Sequence, residues 1–122
     1  VSVMDAYASI KVHLEGRESC SVYSLVNFTD DEAVATDVHA RLARACQRFL
    51  GVSVVAAGQV PEDPRISEAA RRGRPFFLEF PDCPATRRIE EISQRLIADA
   101  QNRAVGEVAS WSRPSQHTAL SA

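Results

Sequence analysis

The sequence predicts an α/β fold: a parallel βαβ core with flanking helices. Two apolar, β-branched runs, Ser21 to Phe28 and Val52 to Val60, bracket a long amphipathic stretch from Asp30 to Leu50. Strands separated by such a helix are joined by a crossover and pair in parallel. At 122 residues, 45% hydrophobic and 25% charged, the chain has the size and balance of one globular domain with a modest core.

Each element follows from its own pattern. Val3, Ala6, Tyr7, Ile10 and Leu14 recur at helical spacing, and Gly16 ends that helix. Arg17 to Ser19 is a short polar connection. Val22, Leu25 and Val26 are the apolar body of the first strand, without clean alternation, as suits a strand covered on both faces. Thr29-Asp30-Asp31-Glu32 fits a capping box with Thr29 at the cap and Glu32 three residues on. Val34, Val38, Leu42, Ala45 and Phe49 then form the expected buried stripe, widened by Cys46 and Leu50. Arg41, Arg44 and Arg48 fall opposite, as a solvated face, and Gly51 closes the helix.

The second strand ends at Pro61-Glu62-Asp63-Pro64, where Asp63 is an N-cap and Pro64 takes the first helical position. That helix runs to about Arg72 with Ile66, Ala69 and Ala70 inward, and Gly73 ends it. Arg74 to Pro81 holds three phenylalanines between two prolines. It is expected to pack as an irregular loop at the core edge, with a short edge strand or an exposed partner site as alternatives. Asp82-Cys83-Pro84 opens a last helix whose stripe is Ala85, Ile89, Ile92, Leu96 and Ala100, extending past Gly106 to Trp111. Arg113-Pro114 ends it, leaving Ser115 to Ala122 as a flexible tail.

Composition narrows the function. A net charge of −2, with thirteen arginines against Lys11 alone, argues against a protein that coats nucleic acid. Cys20, Cys46 and Cys83 form no zinc spacing and read as free thiols of a reducing cytoplasm. No apolar run reaches the roughly 18 residues that span a bilayer. His13, His39 and His117 are scattered, with no nucleophile at a readable spacing, and His39 reads as solvated. Capping explains Asp30, Asp31 and Glu32, and no glycine-rich phosphate loop is present.

The ligand end of a parallel sheet lies at the carboxyl ends of its strands. Those ends carry Asn27 and the Pro61-Glu62-Asp63 turn. A carboxamide offers a donor and an acceptor on adjacent atoms, which matches the N6/N7 edge of adenine. The alternative is an asparagine bonding its own backbone at a strand end, and for the turn it is helix capping.

Several stretches together resemble the MinD/ParA-type ATPases. Met4-Asp5-Ala6-Tyr7-Ala8-Ser9-Ile10-Lys11 looks like the family's T-D-A-Y-A-L-I-K helix, and Leu25-Val26-Asn27 like its L-V-N strand. Cys46-Gln47-Arg48-Phe49-Leu50-Gly51-Val52 resembles the C-x-R-F-L-x-V of the flagellar-number branch, FlhG/FleN. Gly58-Gln59-Val60-Pro61-Glu62-Asp63 resembles G-x-I-P-x-D. Arg72-Gly73-Arg74-Pro75 and Pro81-Asp82-Cys83-Pro84-Ala85 resemble R-x-R-P and P-x-S-P-A.

The resemblance implies a partial P-loop NTPase fold of the SIMIBI, MinD-like kind. Residues 1–105 would be the C-terminal part of the ATPase domain, and residues 106–122 a helix end and flexible tail. The family's phosphate loop and its Walker-B and switch aspartates lie upstream of the counterpart of Val1. The expectation is therefore a chain lacking the N-terminal half, with no hydrolysis of its own. Carried over by position, Asn27 would contact the adenine of ATP or ADP. Pro61, Glu62 and Asp63 would line the base and ribose side, with no metal ligand in this chain. A homodimer is expected, and a flagellar GTPase or other flagellar assembly proteins as partners. Arg71, Arg72, Arg74, Phe76 and Phe77 would be the contact patch. The family also binds membranes through a basic amphipathic C-terminal helix. Here Ala100 to Trp111 has only Arg103, offset by Glu107, a poor match to anionic lipid. The expected location is cytoplasmic, peripheral to the inner membrane at most in a full-length protein.

Overall fold

A computed structural model of the chain describes residues 2–17 and 20–111. The expected flexible tail, residues 115–122, lies outside the described residues, as do Glu18 and Ser19 of the first connection. The order is α1 (Ser2–Leu14), β1 (Val22–Asn27), α2 (Glu32–Leu50), β2 (Val54–Val60), α3 (Pro64–Arg71), α4 (Phe76–Glu79) and α5 (Pro84–Trp111). The chain divides into two compact units, Val1–Ile92 and Ser93–Ala122. The candidate site residues all lie in the first. In the second, α5 exposes Ile97, Val105 and Val108.

β1 and β2 pair in parallel, as the βαβ reading requires. The register slips once: Ser24 faces Ala56 but Leu25 faces Gly58, so Ala57 is an extra residue. Gly58 carries a φ of 141°, a conformation that a side chain would resist. The slip sets Val60, rather than Gln59, opposite Asn27. The strands are not covered on both faces as expected, since Leu25 and Val55 stay exposed. A two-stranded sheet is too narrow for helices to bury every apolar position.

The core is built on one side by α1 and α2. Leu42, Cys46 and Val54 are its buried centre, and the α1 stripe of Val3, Ala6, Tyr7 and Ile10 packs against it. Burial pushes the Cys46 thiol pKa up, which keeps it neutral in this setting. The stripe of α2 differs from the expected one. Ala35, Leu42 and Cys46 are buried, whereas Val34 and Phe49 are exposed, Phe49 at 67%. Small residues let the helix lie close to its neighbours, which rotates the larger side chains outward. Phe49 is instead held at the margin, edge-on to Tyr7 with ring centres 6.4 Å apart and the Arg48 guanidinium above it.

The α2 cap also moves. Asp31, not Thr29, is the N-cap, its Oδ1 accepting from the N–H groups of Ala33 and Val34 at 2.8 and 3.2 Å. A carboxylate is the stronger acceptor at the positive end of a helix. Thr29 supports it one step back, its hydroxyl accepting from the Asp31 N–H. Gly51 ends α2 in the left-handed region, φ 66°, as its place in the sequence requires.

The phenylalanine-rich segment is neither a packed loop nor a strand. Pro75 starts a single helical turn, and Leu78 is 71% exposed with Phe77 beside it. Arg72 ties this turn to α3 by ion pairs to Glu68 and Glu79. Of the residues expected inward on α3, Ala69 is buried, Ile66 is half-buried and Ala70 is exposed. On α5, Ala85, Thr86 and Ile92 are buried, Ile89 and Leu96 half-buried and Ala100 exposed.

Candidate functional site

Parallel pairing brings both strand ends to one place. Asn27 stands opposite Val60, and the pairing continues one step further, the Thr29 N–H donating to the Val60 carbonyl at 3.2 Å. Gln59 Nε2 donates to the Asp30 carbonyl at 3.3 Å, fastening the β1–α2 loop to β2. Between this loop and the following turn lies an open crevice of about 400 Å³, with Thr29, Gln59, Pro61, Glu62, Asp63 and Arg88 in its walls. A wider groove of about 790 Å³ adjoins Glu62, Asp63, Ser67 and Arg71, with Phe28 along it. A third, mostly apolar groove of about 490 Å³ is lined by Asn27, Phe28, Thr29, Val38 and His39 among others.

The four residues assigned to a base pocket thus share one end of the sheet. They do not line one cavity: Pro61, Glu62 and Asp63 line the crevice, and Asn27 lines the apolar groove. The Asn27 Oδ1 accepts from the Phe28 N–H at 2.9 Å, the local bond that its strand-end position allows. That leaves the second lone pair of Oδ1 and, among the described residues, the amide nitrogen without a partner. The donor–acceptor pair that an adenine edge needs therefore remains on offer.

Asp63 has a structural task at the same spot. It is 6% exposed, caps α3 through a 3.0 Å bond from the Arg65 N–H, and accepts from Arg65 Nε at 2.8 Å. The Arg65 guanidinium holds the Asp63 carboxyl below the usual carboxylate range, against burial, which pushes it up. Its Oδ2 is buried without a hydrogen-bond partner among the described residues, although the Cys83 thiol also acts to lower its pKa.

The proposed contact patch is only partly available. Arg72 is engaged by Glu68 and Glu79, whereas Arg71 and Arg74 are exposed. Phe76 is half-buried and meets Phe77 edge-on at 6.0 Å. One polar pair escapes a reading of the sequence. Ser24 Oγ and His39 Nδ1 share a 2.7 Å hydrogen bond between β1 and α2, and His39 is half-buried rather than solvated. The signal was Ser24, a small hydroxyl residue in an apolar strand. Among the described residues, no group of His, Cys, Asp and Glu is arranged to hold a metal ion. No helix among them is long and apolar enough to cross a membrane.

Comparison with known proteins points in the same direction. No protein-family model matches the chain. It is 36% identical over 74 residues to an uncharacterized ATP-binding protein of Methanocaldococcus jannaschii, covering 61% of this chain and 25% of that protein. It is 44% identical over 48 residues to an iron-sulfur cluster carrier protein of Saccharolobus solfataricus, covering 39% and 16%. It is 25% identical over 95 residues to the antiactivator FleN of Pseudomonas aeruginosa, covering 78% and 34%. The chain therefore spans from about a sixth to a third of these relatives. The partial matches support a relationship to MinD/ParA-like P-loop ATPases, and the small parallel sheet with its helices is compatible with part of such a fold.

Proposed function

We propose that the chain forms the adenine-facing, C-terminal portion of a MinD-like ATPase of the FlhG/FleN branch, which regulates flagellar number and placement. It contributes the base side of an ATP site and a partner surface, and does not hydrolyse ATP by itself. The observation that carries this reading is that Asn27 and the Pro61-Glu62-Asp63 turn stand at the same end of the sheet, at the carboxyl ends of two parallel strands. Isothermal calorimetry with ADP on the chain and on Asn27→Ala tests it. Weak binding that falls about tenfold or more in the variant is expected. Absence of heat, or equal binding by both chains, overturns it.

A second reading has one observation of its own. Phe77 and Leu78 stand exposed beside Arg71 and Arg74, as in a protein-contact surface. Under it the chain is an interaction module that has lost nucleotide binding, with flagellar GTPase or other assembly proteins as candidate partners. Both readings include a homodimer, because a two-stranded sheet offers outer edges suited to strand addition. Sedimentation velocity should find a species of twice the chain mass, and a well-behaved monomer across the concentration range would remove the dimer.

A further inference from the structure

Phe28 is strained, exposed and central, and capping or packing explains none of this. Its φ is 61°, in the left-handed region that bulky residues avoid. It is the one non-glycine residue with positive φ among the described residues. Its side chain gains little from burial, because the residue is 70% exposed. Among the described residues its ring meets no aromatic or cationic partner. The conformation is held from both sides, by Asn27 Oδ1 accepting from the Phe28 N–H and by the Thr29 N–H donating to Val60. Strain kept in place by its surroundings and not repaid by packing is typical of ligand clamps.

Its position says what it clamps. Phe28 lines both the groove that holds Asn27 and the groove that holds Glu62 and Asp63. With Thr29, it is thus the wall shared by two groups of candidate ligand residues that no single cavity unites, and of the two it alone offers a ring. The groups around it are a carboxamide with an unused amide nitrogen, carboxylates, and a threonine. A flat, hydrogen-bonding ring joined to a hydroxylated part would match the ring of Phe28, the carboxamide of Asn27 and the exposed carboxylate of Glu62.

We infer that Phe28 is the stacking platform for the base of a bound nucleotide, its ring face against the purine while Asn27 reads the edge. This rests on the nucleotide-site reading above and adds to it the residue that supplies the apolar contact. Aromatic platforms hold bases through stacking that any base can share, so the platform gives affinity and Asn27 the choice of base.

The test uses ADP on the chain, on three variants of Phe28 and on Asn27→Ala, read by calorimetry and fluorescence. Phe28→Gly suits the left-handed backbone and should melt no lower than the parent, yet bind ADP about tenfold or more weakly. Phe28→Leu keeps an apolar side chain without the ring and should lose affinity similarly. Phe28→Trp should bind at least as tightly, with a tryptophan quench on ADP addition that the parent, with Trp111 alone, does not show. Parent-like affinity in Phe28→Leu and Phe28→Gly, while Asn27→Ala still loses binding, overturns the platform and leaves the nucleotide site standing. Failure of the parent chain to take up ADP at all overturns both.

Discussion

Leu42→Ala should destabilise the chain by about 3 kcal/mol, read as a lowered urea midpoint at fixed protein concentration. Leu42 is 6% exposed and sits with Cys46 and Val54 at the centre of the core, against the inner stripe of α1. Truncation removes its transfer energy and leaves a void. That void opens towards the apolar groove that Leu42 also lines, so water or neighbouring side chains can fill part of it. This keeps the figure in the middle of the range for buried leucines. Phe49→Ala is the contrast. A sequence stripe makes Phe49 a core residue, but it is exposed, so its loss should cost about 1 kcal/mol, from the Tyr7 ring contact and residual burial. Equal losses for the two variants would contradict the burial of Leu42 and the exposure of Phe49.

Asp63→Ala should cost about 1 to 2 kcal/mol through the lost cap of α3, with the Arg65 pairing lost in addition. Asp63→Asn keeps an oxygen at the cap and should cost less. The pH dependence separates cap from charge. The folded-state pKa of Asp63 is depressed, so its charge-linked stabilisation is fully present above the unfolded carboxylate value of about 3.9. It fades as the pH falls through the lower, folded value. The stability gap between the parent chain and Asp63→Asn should therefore be constant near neutrality and close in acid. A gap that persists at the lowest pH at which both chains fold would remove the charge from the account.

The parallel βαβ unit was legible because three features agree: two short β-branched runs, a helix between them, and Gly51 and Pro61 where α2 and the second strand end. The α1 stripe was legible too, since one narrow apolar face meets one neighbour. The phase of α2 was not. Its sequence carries enough apolar residues for two overlapping stripes, and close packing of Ala35 and Cys46 selected between them. The cap at Asp31 was ambiguous for a similar reason, because Thr29 and Asp31 both suit the role and the charged oxygen prevailed. The placement of Asn27 and the Pro61-Glu62-Asp63 turn at one end of the sheet could be read from strand direction alone, but not their division between two cavities. The Ser24–His39 bond could not, since it depends on the helix phase. Nor could the backbone of Phe28, a residue that in sequence looks like one more apolar position at the end of a strand.

The parallel pairing of β1 with β2 also sets an order for folding. Val22 meets Val54 only after the whole of α2 and both its loops have been drawn into place. A chain must give up that freedom before any interstrand bond rewards it, which slows the search. α2 relieves much of it, because a capped helix of this length shortens the path between the two strands while they are still apart. Asp31 and Gly51, at the two ends of that helix, should therefore weigh more on the rate of folding than on the rate of unfolding.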